Sequence, residues 1–136
     1  MKEKHLSFGE YIRKKRLSDA RELTLQDVAE YLNVSTSYIC SVENRSKKPF
    51  DGEMLERFAQ FLNLSTEETA LMYDIAGRET HEVPYDIEDT FFHEPFGDLI
   101  RHAIRLHQAD LLTEEDLQAF IDRIENSPKM EEHVYK

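Results

Sequence analysis

Apolar residues recur through the first half of the chain at the three- and four-residue spacing of amphipathic helices. The segments between them are polar, and few β-branched runs interrupt the rhythm. The pattern therefore predicts five short helices within residues 7–77, each with one face turned to a shared core. The side chains that we expect to face inward are Phe8, Tyr11, Ile12, Val28, Ala29, Leu32, Ile39, Val42, Met54, Leu55, Phe58, Ala59 and Leu62.

Residues typical of helix ends divide this pattern into separate helices. Thr24 and Ser35 precede the second and third helices, and S-T-E-E at 65–68 predicts a capping box for the fifth. Pro49 separates the third helix from the fourth, because proline cannot continue a helix. Gly77 is predicted to end the fifth helix.

The second half of the chain has a different pattern. Residues 78–94 are acidic and lack a long period, so we predict a linker whose Phe91 and Phe92 dock on a neighbouring element. Residues 95–127 predict a helical hairpin, and residues 128–136 predict a fraying tail. The apolar stripes of the hairpin are Leu99, Ile100, Ala103, Ile104, Leu117, Phe120, Ile121 and Ile124.

Composition narrows the class of protein. Of the 136 residues, 40% are hydrophobic and 33% are charged, and only four are glycine, which favours a globular all-α fold. No apolar run is long enough to cross a bilayer, and the N-terminus has no apolar segment of a secretion signal, so we expect no membrane partner. The single cysteine, Cys40, is typical of a reducing compartment, and we therefore expect a cytoplasmic protein.

The net charge of −11 hides a division along the chain. Residues 1–50 hold ten Lys/Arg against seven Asp/Glu, a net of +3, whereas residues 51–136 hold seven against twenty-one, a net of −14. The runs at 13–16 and 45–48 concentrate the positive charge, which indicates an anion-binding face at that end. The acidic remainder is either a plain solvated surface or one that disfavours non-specific binding to DNA.

Residues 27–43 contain two predicted helices separated by a tight break. Two short helices joined in this way form a helix-turn-helix, whose second helix is a rod that fits the major groove of DNA. Here the second helix begins with S-T-S-Y at 35–38, and the basic run at 45–48 follows where phosphates would lie. The tight break thus orients a reading helix, and local positive charge explains how an acidic chain binds DNA.

Residues 8–77 resemble the lambda-repressor and Cro type helix-turn-helix of Xre-family regulators. The resemblance is carried, in order, by GEYIRKKR, LTLQDVAEYLNVSTSYICSVENR, KKP and MLERFAQFLNLS. It implies a five-helix DNA-binding domain over residues 1–77 that dimerises on partly palindromic DNA. It also implies a structural ion pair between Arg16 and Glu43.

The same resemblance implies which residues touch DNA. The family usually has glutamine just after the cap of the second helix, whereas this chain has Leu25 there and Gln26 next. Asn33 replaces the usual turn glycine, and asparagine tolerates the left-handed conformation that the turn requires. The residues implied to contact bases or phosphates are Gln26, Ser35, Thr36, Ser37, Tyr38, Ser41, Asn44, Arg45, Lys47 and Lys48.

Residues 99–122, LIRHAIRLHQADLLTEEDLQAFID, resemble the helical-hairpin oligomerisation region of SinR-type regulators. In those proteins such hairpins pair between chains, which implies oligomerisation through the apolar stripes named above. Helices of about a dozen residues are marginal unless they are packed. The hairpin therefore needs either its own DNA-binding domain or another chain to cover it.

Several candidates also have a plainer interpretation. Tyr38 serves equally well as a groove contact or as a packing aromatic at a helix edge. For Cys40 we favour a small, half-buried side chain over a redox switch, because the chain has no second cysteine. His102 and His107 do not share a helical face, so we expect no metal. No acid–base pair, activated nucleophile or glycine-rich phosphate loop stands out, so we expect neither an enzyme nor a cofactor.

We therefore predict a bacterial, sequence-specific DNA-binding transcription regulator, a repressor that acts as a homodimer on an inverted-repeat operator. Its partners are then double-stranded DNA and a second copy, with a protein antagonist or a toxin as a further partner. Two alternatives stay open: an antitoxin whose acidic part sequesters a toxin, and an interaction module that sequesters another regulator. The basic run at 45–48 argues against the second alternative.

Overall fold

The computed structural model describes residues 2–132, and every regular element in that part of the chain is a helix. The predicted all-α class is therefore confirmed. The end of the predicted tail, residues 133–136, lies outside the described residues. The chain divides into two compact units, residues 1–86 and residues 87–136. Across the described part of the chain, no helix combines the length and apolar character that a membrane crossing requires.

The first unit contains the five predicted α-helices, preceded by a 3-10 turn at Lys2–His5. They are α1 (Phe8–Ser18), α2 (Leu25–Leu32), α3 (Thr36–Glu43), α4 (Gly52–Phe61) and α5 (Thr66–Thr80).

Side-chain caps begin these helices at the predicted residues. The Thr24 hydroxyl accepts the Asp27 N–H at 3.1 Å, and the Asp27 carboxylate accepts the Thr24 N–H at 2.8 Å. Ser65 and Glu68 form the same reciprocal capping box at the start of α5. Ser35 caps α3 by accepting a backbone N–H from its first turn. These side chains satisfy donors that a helix start leaves unpaired.

The core of the first unit lies where α1 to α5 meet. Tyr11 and Ile12 of α1 are fully buried, and the Tyr11 hydroxyl donates to the Glu68 carbonyl at 2.9 Å. The ring of Phe50 lies 5.3 Å from Phe8 and joins the loop after α3 to this core. The side chains predicted to face inward are buried except Met54, which is half-buried against the core.

The end of α5 contradicts the prediction for Gly77. The helix continues to Thr80 and ends at His81, which adopts a left-handed conformation with φ of 57°. Gly77 is buried, and a Cβ atom there would lie 2.8 Å from the Glu82 carbonyl oxygen and 3.2 Å from Cγ of Pro84. Glycine is thus needed at this position because the following chain folds back over the helix.

Residues 78–94 are largely helical. They include the end of α5, a 3-10 turn at Tyr85–Ile87 and α6 (Glu88–Phe92), and the boundary between the two units follows Asp86. In the first unit, the Tyr85 ring stacks on Tyr73 with 6.2 Å between centroids. The segment predicted as a linker therefore begins as part of the first unit.

The second unit continues with α7 (Phe96–Gln108), α8 (Glu114–Glu125) and α9 (Pro128–Glu132). Pro128 therefore begins a short helix, where we had predicted the start of a fraying tail. Thr113 and Asp116 form a capping box that starts α8.

Phe91 packs against α7 within the second unit. A Cβ atom on Gly97 would lie 2.5 Å from the Phe91 carbonyl oxygen, so α6 and α7 approach closely at this glycine. The Arg101 guanidinium donates to the same carbonyl and to Asp98, and it lies 5.9 Å from the Phe91 ring centroid. Phe91 is thus docked as predicted, whereas Phe92 is 59% exposed.

Candidate nucleic-acid interface

The third helix is fixed to the domain by one face and leaves the other open. Ile39 and Val42 are buried against the core, and the Ser35 hydroxyl holds the Tyr38 N–H at 3.1 Å. Because Ile39 and Val42 are three residues apart, both of these apolar side chains lie on the inward face of the helix. The orientation of α3 is therefore set by side chains that are not available to a ligand.

The turn between α2 and α3 is fixed by Asn33 and by an arginine from α4. Asn33 adopts the predicted left-handed conformation, with φ of 59° and ψ of 47°. The N–H of Val34 then reaches the Ala29 carbonyl at 3.0 Å, which closes the end of α2. Arg57 donates to the carbonyls of Tyr31 and Leu32, so α4 braces the same helix end.

The outward face of α3 presents small polar groups. Thr36, Ser37, Cys40 and Asn44 are exposed, and Ser41 is half-buried. The Thr36 hydroxyl makes no hydrogen bond with any other described residue. These side chains are available to groups outside the protein, and hydroxyls can both donate to and accept from base edges.

Tyr38 differs from its neighbours on α3. Its ring is half-buried and lies 6.1 Å from the Phe50 ring, against the core. Burial raises the pKa of the Tyr38 hydroxyl, and the nearby Asp51 carboxylate adds to that effect. The packing interpretation of Tyr38 thus has direct geometric support.

Cys40 is exposed rather than half-buried as we expected. Its sulfur lies 4.0 Å from the Asn44 amide nitrogen. The place of Cys40 on the outward face of α3, four residues from both Thr36 and Asn44, accounts for its exposure. Among the described residues, no group of three or more histidine, cysteine or acidic side chains is placed to hold a metal ion.

The basic loop after α3 is held in shape by its own backbone. The Ser41 carbonyl accepts the N–H groups of Ser46 and Lys47 at 2.9 and 3.2 Å, and the Asn44 side-chain oxygen accepts from the Ser46 hydroxyl at 2.9 Å. Arg45 adopts a left-handed conformation with φ of 69°. Buried Pro49 ends the loop against the core.

This loop presents three exposed cations, which are Arg45, Lys47 and Lys48. None of them forms a salt bridge with a carboxylate within the described part of the chain. Their charge is therefore available to an anionic ligand that also reaches the outward face of α3.

The structure places Arg16 and Glu43 in direct contact. Arg16 Nε and Nη2 donate to the two Glu43 carboxylate oxygens at 2.8 and 2.9 Å, and Nη1 donates to the Leu23 carbonyl at 3.1 Å. The hydrogen bonds to Glu43 raise the pKa of Arg16 above its ordinary value. The side chains are 10% and 8% exposed, so this pair joins α1 to the end of α3 as a structural element.

Close packing at Gly9 brings α1 against the same end of α3. A Cβ atom on Gly9 would lie 2.4 Å from the Glu43 carbonyl oxygen and 2.5 Å from the Val42 carbonyl oxygen. Because both atoms belong to the backbone, a side chain at this position would push the two helices apart.

At the start of α2, Gln26 is exposed and its amide donates to Glu30 at 3.1 Å. Leu25, at the position where glutamine is usual, is half-buried against the core. Sequence reasoning did not select Arg13, which is exposed on α1 and lies in the same pocket as Leu25 and Asn44. The signal was present, since Arg13 precedes Arg16 by three residues and thus shares its side of the helix.

The hairpin residues predicted to mediate oligomerisation remain largely uncovered within the second unit. Leu99 is 65% exposed and Phe120 is 52% exposed. Residues from α7 and α8 line a groove of about 250 Å³ between the two helices. Its apolar walls come from Ile100, Ala103, Ile104, Leu112 and Leu117.

Comparison with known proteins gives a match within the first unit. Residues 12–68 match the protein-family model described as Helix-turn-helix, which begins within α1 and ends within the first turn of α5. Comparisons with curated proteins and with solved structures found no match. Residues 12–68 are therefore similar to helix-turn-helix domains of the Xre and lambda-repressor type, a family of DNA-binding transcription regulators. The hairpin lies outside the matched residues, so its resemblance to SinR-type regulators stays a prediction.

Proposed function

We propose that this protein is a cytoplasmic, sequence-specific transcriptional repressor that binds an inverted-repeat operator as a homodimer. The observation that carries the proposal is the outward face of α3, where exposed hydroxyls lie next to a loop whose three cations form no salt bridge with a described residue. Thr36 and Ser37 begin this helix, and the N-terminal residues of a recognition helix are those that meet base edges in the major groove.

Affinity and specificity come from different groups in this proposal. Arg45, Lys47 and Lys48 contact phosphates, which positions the domain on any duplex. Thr36 and Ser37 distinguish bases, with Ser41 further along the same helix, whereas Asn44 at the helix end belongs with the phosphate contacts. A single hydroxyl contact discriminates less than the roughly 1–3 kcal/mol of a bidentate pair, so two half-sites are needed for a selective complex.

A second copy of the chain is the occupant that we propose for the hairpin. The two helices carry opposite charge, because α7 holds two arginines and one aspartate, whereas α8 holds five carboxylates and one arginine. Pairing of α7 in one chain with α8 in its partner would cover the apolar stripes and bring opposite charges together. Burial of a large apolar side chain contributes about 1.5–3 kcal/mol, which favours association of two such hairpins.

Repression follows from the geometry of such a dimer. Two recognition helices on one face of the duplex would lie about 34 Å apart, one helical turn of DNA. Where the operator overlaps a promoter, a dimer seated in this way would keep other proteins from the same stretch of DNA and so repress transcription.

The test is a selection from random duplex DNA with the full-length protein. We expect an inverted-repeat motif. The double variant Thr36→Ala, Ser37→Ala should lose preference at defined positions of each half-site, because the hydroxyls that read those bases are removed. A Phe120→Glu variant, which places a charge on the exposed stripe of α8, should recover one half-site or none.

Thr66→Ala is the matched control for the hydroxyl variants. Thr66 is the first residue of α5 and is exposed, just as Thr36 is the first residue of α3. An unchanged motif with the α3 variants would show that these hydroxyls do not read bases. Recovery of no motif by the unaltered protein would contradict the repressor proposal and favour an interaction module.

A further inference from the structure

The four consecutive cations of α1 do not share one role. Lys14 pairs with Glu3 at 3.0 Å, and Lys15 pairs with Glu3 at 3.2 Å and with Glu68 at 2.8 Å. Arg16 pairs with Glu43. Arg13 is exposed and, among the described residues, forms neither a salt bridge nor a hydrogen bond. Of the four consecutive cations at 13–16, Arg13 alone therefore has no carboxylate partner among the described residues.

Arg13 lines an open pocket of about 250 Å³ between α1, the first turn of α2 and the outer side of α3. The buried ion pair of α1 and α3 forms part of the lining. Cys40 and Asn44 occupy one helical stripe with Thr36, at intervals of four residues, so the pocket continues the outward face of α3. The lining residues are Arg13, Arg16, Leu25, Cys40, Glu43 and Asn44.

The charge of this lining selects an anion. Glu43 is already neutralised by Arg16, which donates two hydrogen bonds to its carboxylate. The remaining formal charge of the lining is that of Arg13, and a guanidinium presents several donors in a planar fork that matches a phosphate group.

The Asn44 amide supplies a second donor. Its side-chain oxygen accepts from the backbone N–H of Ser46 at 3.3 Å. A backbone N–H can only donate, so the oxygen must face Ser46 and the amide nitrogen must face Cys40, on the pocket side. The nitrogen has a weak sulfur contact at 4.0 Å there, which leaves it able to donate to a ligand.

We infer that this pocket binds a phosphate of the DNA backbone, with the Arg13 guanidinium as its principal donor and the Asn44 amide as the second. The inference rests on the proposed binding of DNA by α3 and adds a contact from α1. It also accounts for Leu25, because a phosphate held from α1 needs no side-chain donor at the first position of α2. Gln26, the neighbouring amide, is already engaged by Glu30.

The test compares Arg13→Gln with Lys14→Gln in the full-length protein. Lys14 is an adjacent, half-exposed cation whose ammonium group is paired with Glu3, so its loss controls for a change of one charge on α1. Fluorescence anisotropy measures binding to a labelled duplex without an operator, because a phosphate contact does not depend on sequence. The measurement is repeated at several salt concentrations.

For Arg13→Gln we expect the slope of log affinity against log salt to fall by about 0.9, the value for one lost phosphate contact. The variant should bind the duplex more weakly than the unaltered protein, and this difference in affinity should shrink by about 3.5-fold between about 50 and 200 mM salt. The reason is that binding of the variant releases one counterion fewer. Lys14→Gln should keep the original slope. Arg13→Lys should restore it, since the charge returns at the same position.

Equal slopes for the unaltered protein and Arg13→Gln, or equal changes in Arg13→Gln and Lys14→Gln, would overturn the inference while leaving DNA binding intact. Failure of the unaltered protein to bind any duplex would instead contradict the proposed function, and the inference with it. Thermal unfolding of Arg13→Gln should match that of the unaltered protein, because Arg13 is exposed and forms no hydrogen bond or salt bridge with a described residue.

Discussion

Both units of this chain contain short amphipathic helices with a side-chain cap, such as α5 at Ser65 and α8 at Thr113, yet the apolar faces are buried in the first unit and exposed in the second. Leu32 is 2% exposed and Ile39 is fully buried in the first unit, whereas Leu99 and Phe120 are more than half exposed in the second. Amphipathic spacing thus predicts that a helix has an apolar face. The presence of neighbours at suitable angles decides whether that face becomes a core or an interface.

The difference has a thermodynamic consequence. Burial of a large apolar side chain stabilises by about 1.5–3 kcal/mol, and the first unit obtains this within one chain. The hairpin obtains it only when another surface covers its stripes. The stability of the second unit should therefore depend on protein concentration, and that of the first should not.

Truncation of one phenylalanine in each unit tests this difference between the units most directly. Phe58 is 1% exposed and Phe120 is 52% exposed. Phe58→Ala should lower the free energy of unfolding of the first unit by about 3–5 kcal/mol, measured by urea denaturation, because it leaves a cavity. Phe120→Ala should leave that transition in place and weaken dimerisation about tenfold or more, as for a central interface aromatic.

Sedimentation at two protein concentrations separates the two outcomes. Leu17→Ala is the control, since Leu17 is 60% exposed but lies on α1 outside the hairpin. A monomeric unaltered protein, or a dimer that resists Phe120→Ala, would show that the exposed stripes of the hairpin do not hold two copies together.

Much of the first unit was predictable because its signals are local. A cap such as Thr24 acts on N–H groups two or three residues away, so its role is visible in the sequence itself. The same holds for Asn33, whose tolerance of positive φ is a property of one residue. These positions place α3 and its outward face without knowledge of the rest of the chain.

The parts that sequence reasoning missed depend on distant residues. Gly77 resembles a helix end until the chain at Glu82 and Pro84 folds back over it. Arg13 is indistinguishable from Lys14 and Lys15 until the carboxylate partners of those two lysines, on other elements, are known. A cap is recognised from residues at a fixed spacing in the sequence, whereas residues in tertiary contact have no fixed spacing.

Glycine substitutions test the same difference between the two units, with a smaller expected change in stability. Gly9 and Gly97 each lie against a backbone carbonyl oxygen, at 2.4 and 2.5 Å from an added Cβ atom. Gly9→Ala should lower the free energy of unfolding of the first unit by about 1–3 kcal/mol and weaken DNA binding, because α1 and α3 must separate. Gly97→Ala should disturb α6 and α7 and leave the urea transition of the first unit unchanged. Equal effects of both variants on that transition would show that the two units do not unfold independently.

Lowering the pH should have the smallest effect on stability, and the first unit should lose more stability than the second. The hydrogen bond from Lys15 lowers the pKa of Glu68 below its ordinary value of 4.5, and the hydrogen bond from Arg21 lowers the pKa of Asp19 to about 2. Folded-state pKa values below the unfolded ones contribute stability that is complete above about pH 4.5 and is lost as the pH falls through the folded values. The thermal midpoint of the first unit should therefore decrease as the pH is lowered from about 5 to about 3.

Glu68→Gln should reduce this acid sensitivity, since one of the groups that must be protonated is removed. Glu67→Gln is the matched control, because Glu67 is exposed and forms no salt bridge with a described residue. Circular dichroism at the two pH values measures both. An identical acid shift in Glu68→Gln and Glu67→Gln would show that the pair with Lys15 does not couple protonation to folding.

The separation of α3 into residues that attach it to the core and residues that face outward has a consequence for the evolution of such a protein. Ile39, Val42 and the Ser35 cap attach the helix, whereas the exposed Thr36 side chain makes no hydrogen bond with a described residue and Ser37 makes only a long contact, 3.4 Å, with the Ser35 hydroxyl. Mutation can therefore alter what the outward face recognises without first damaging the fold. A duplicated copy of the gene can acquire a new operator through single viable steps, and the same freedom is open to a protein engineer.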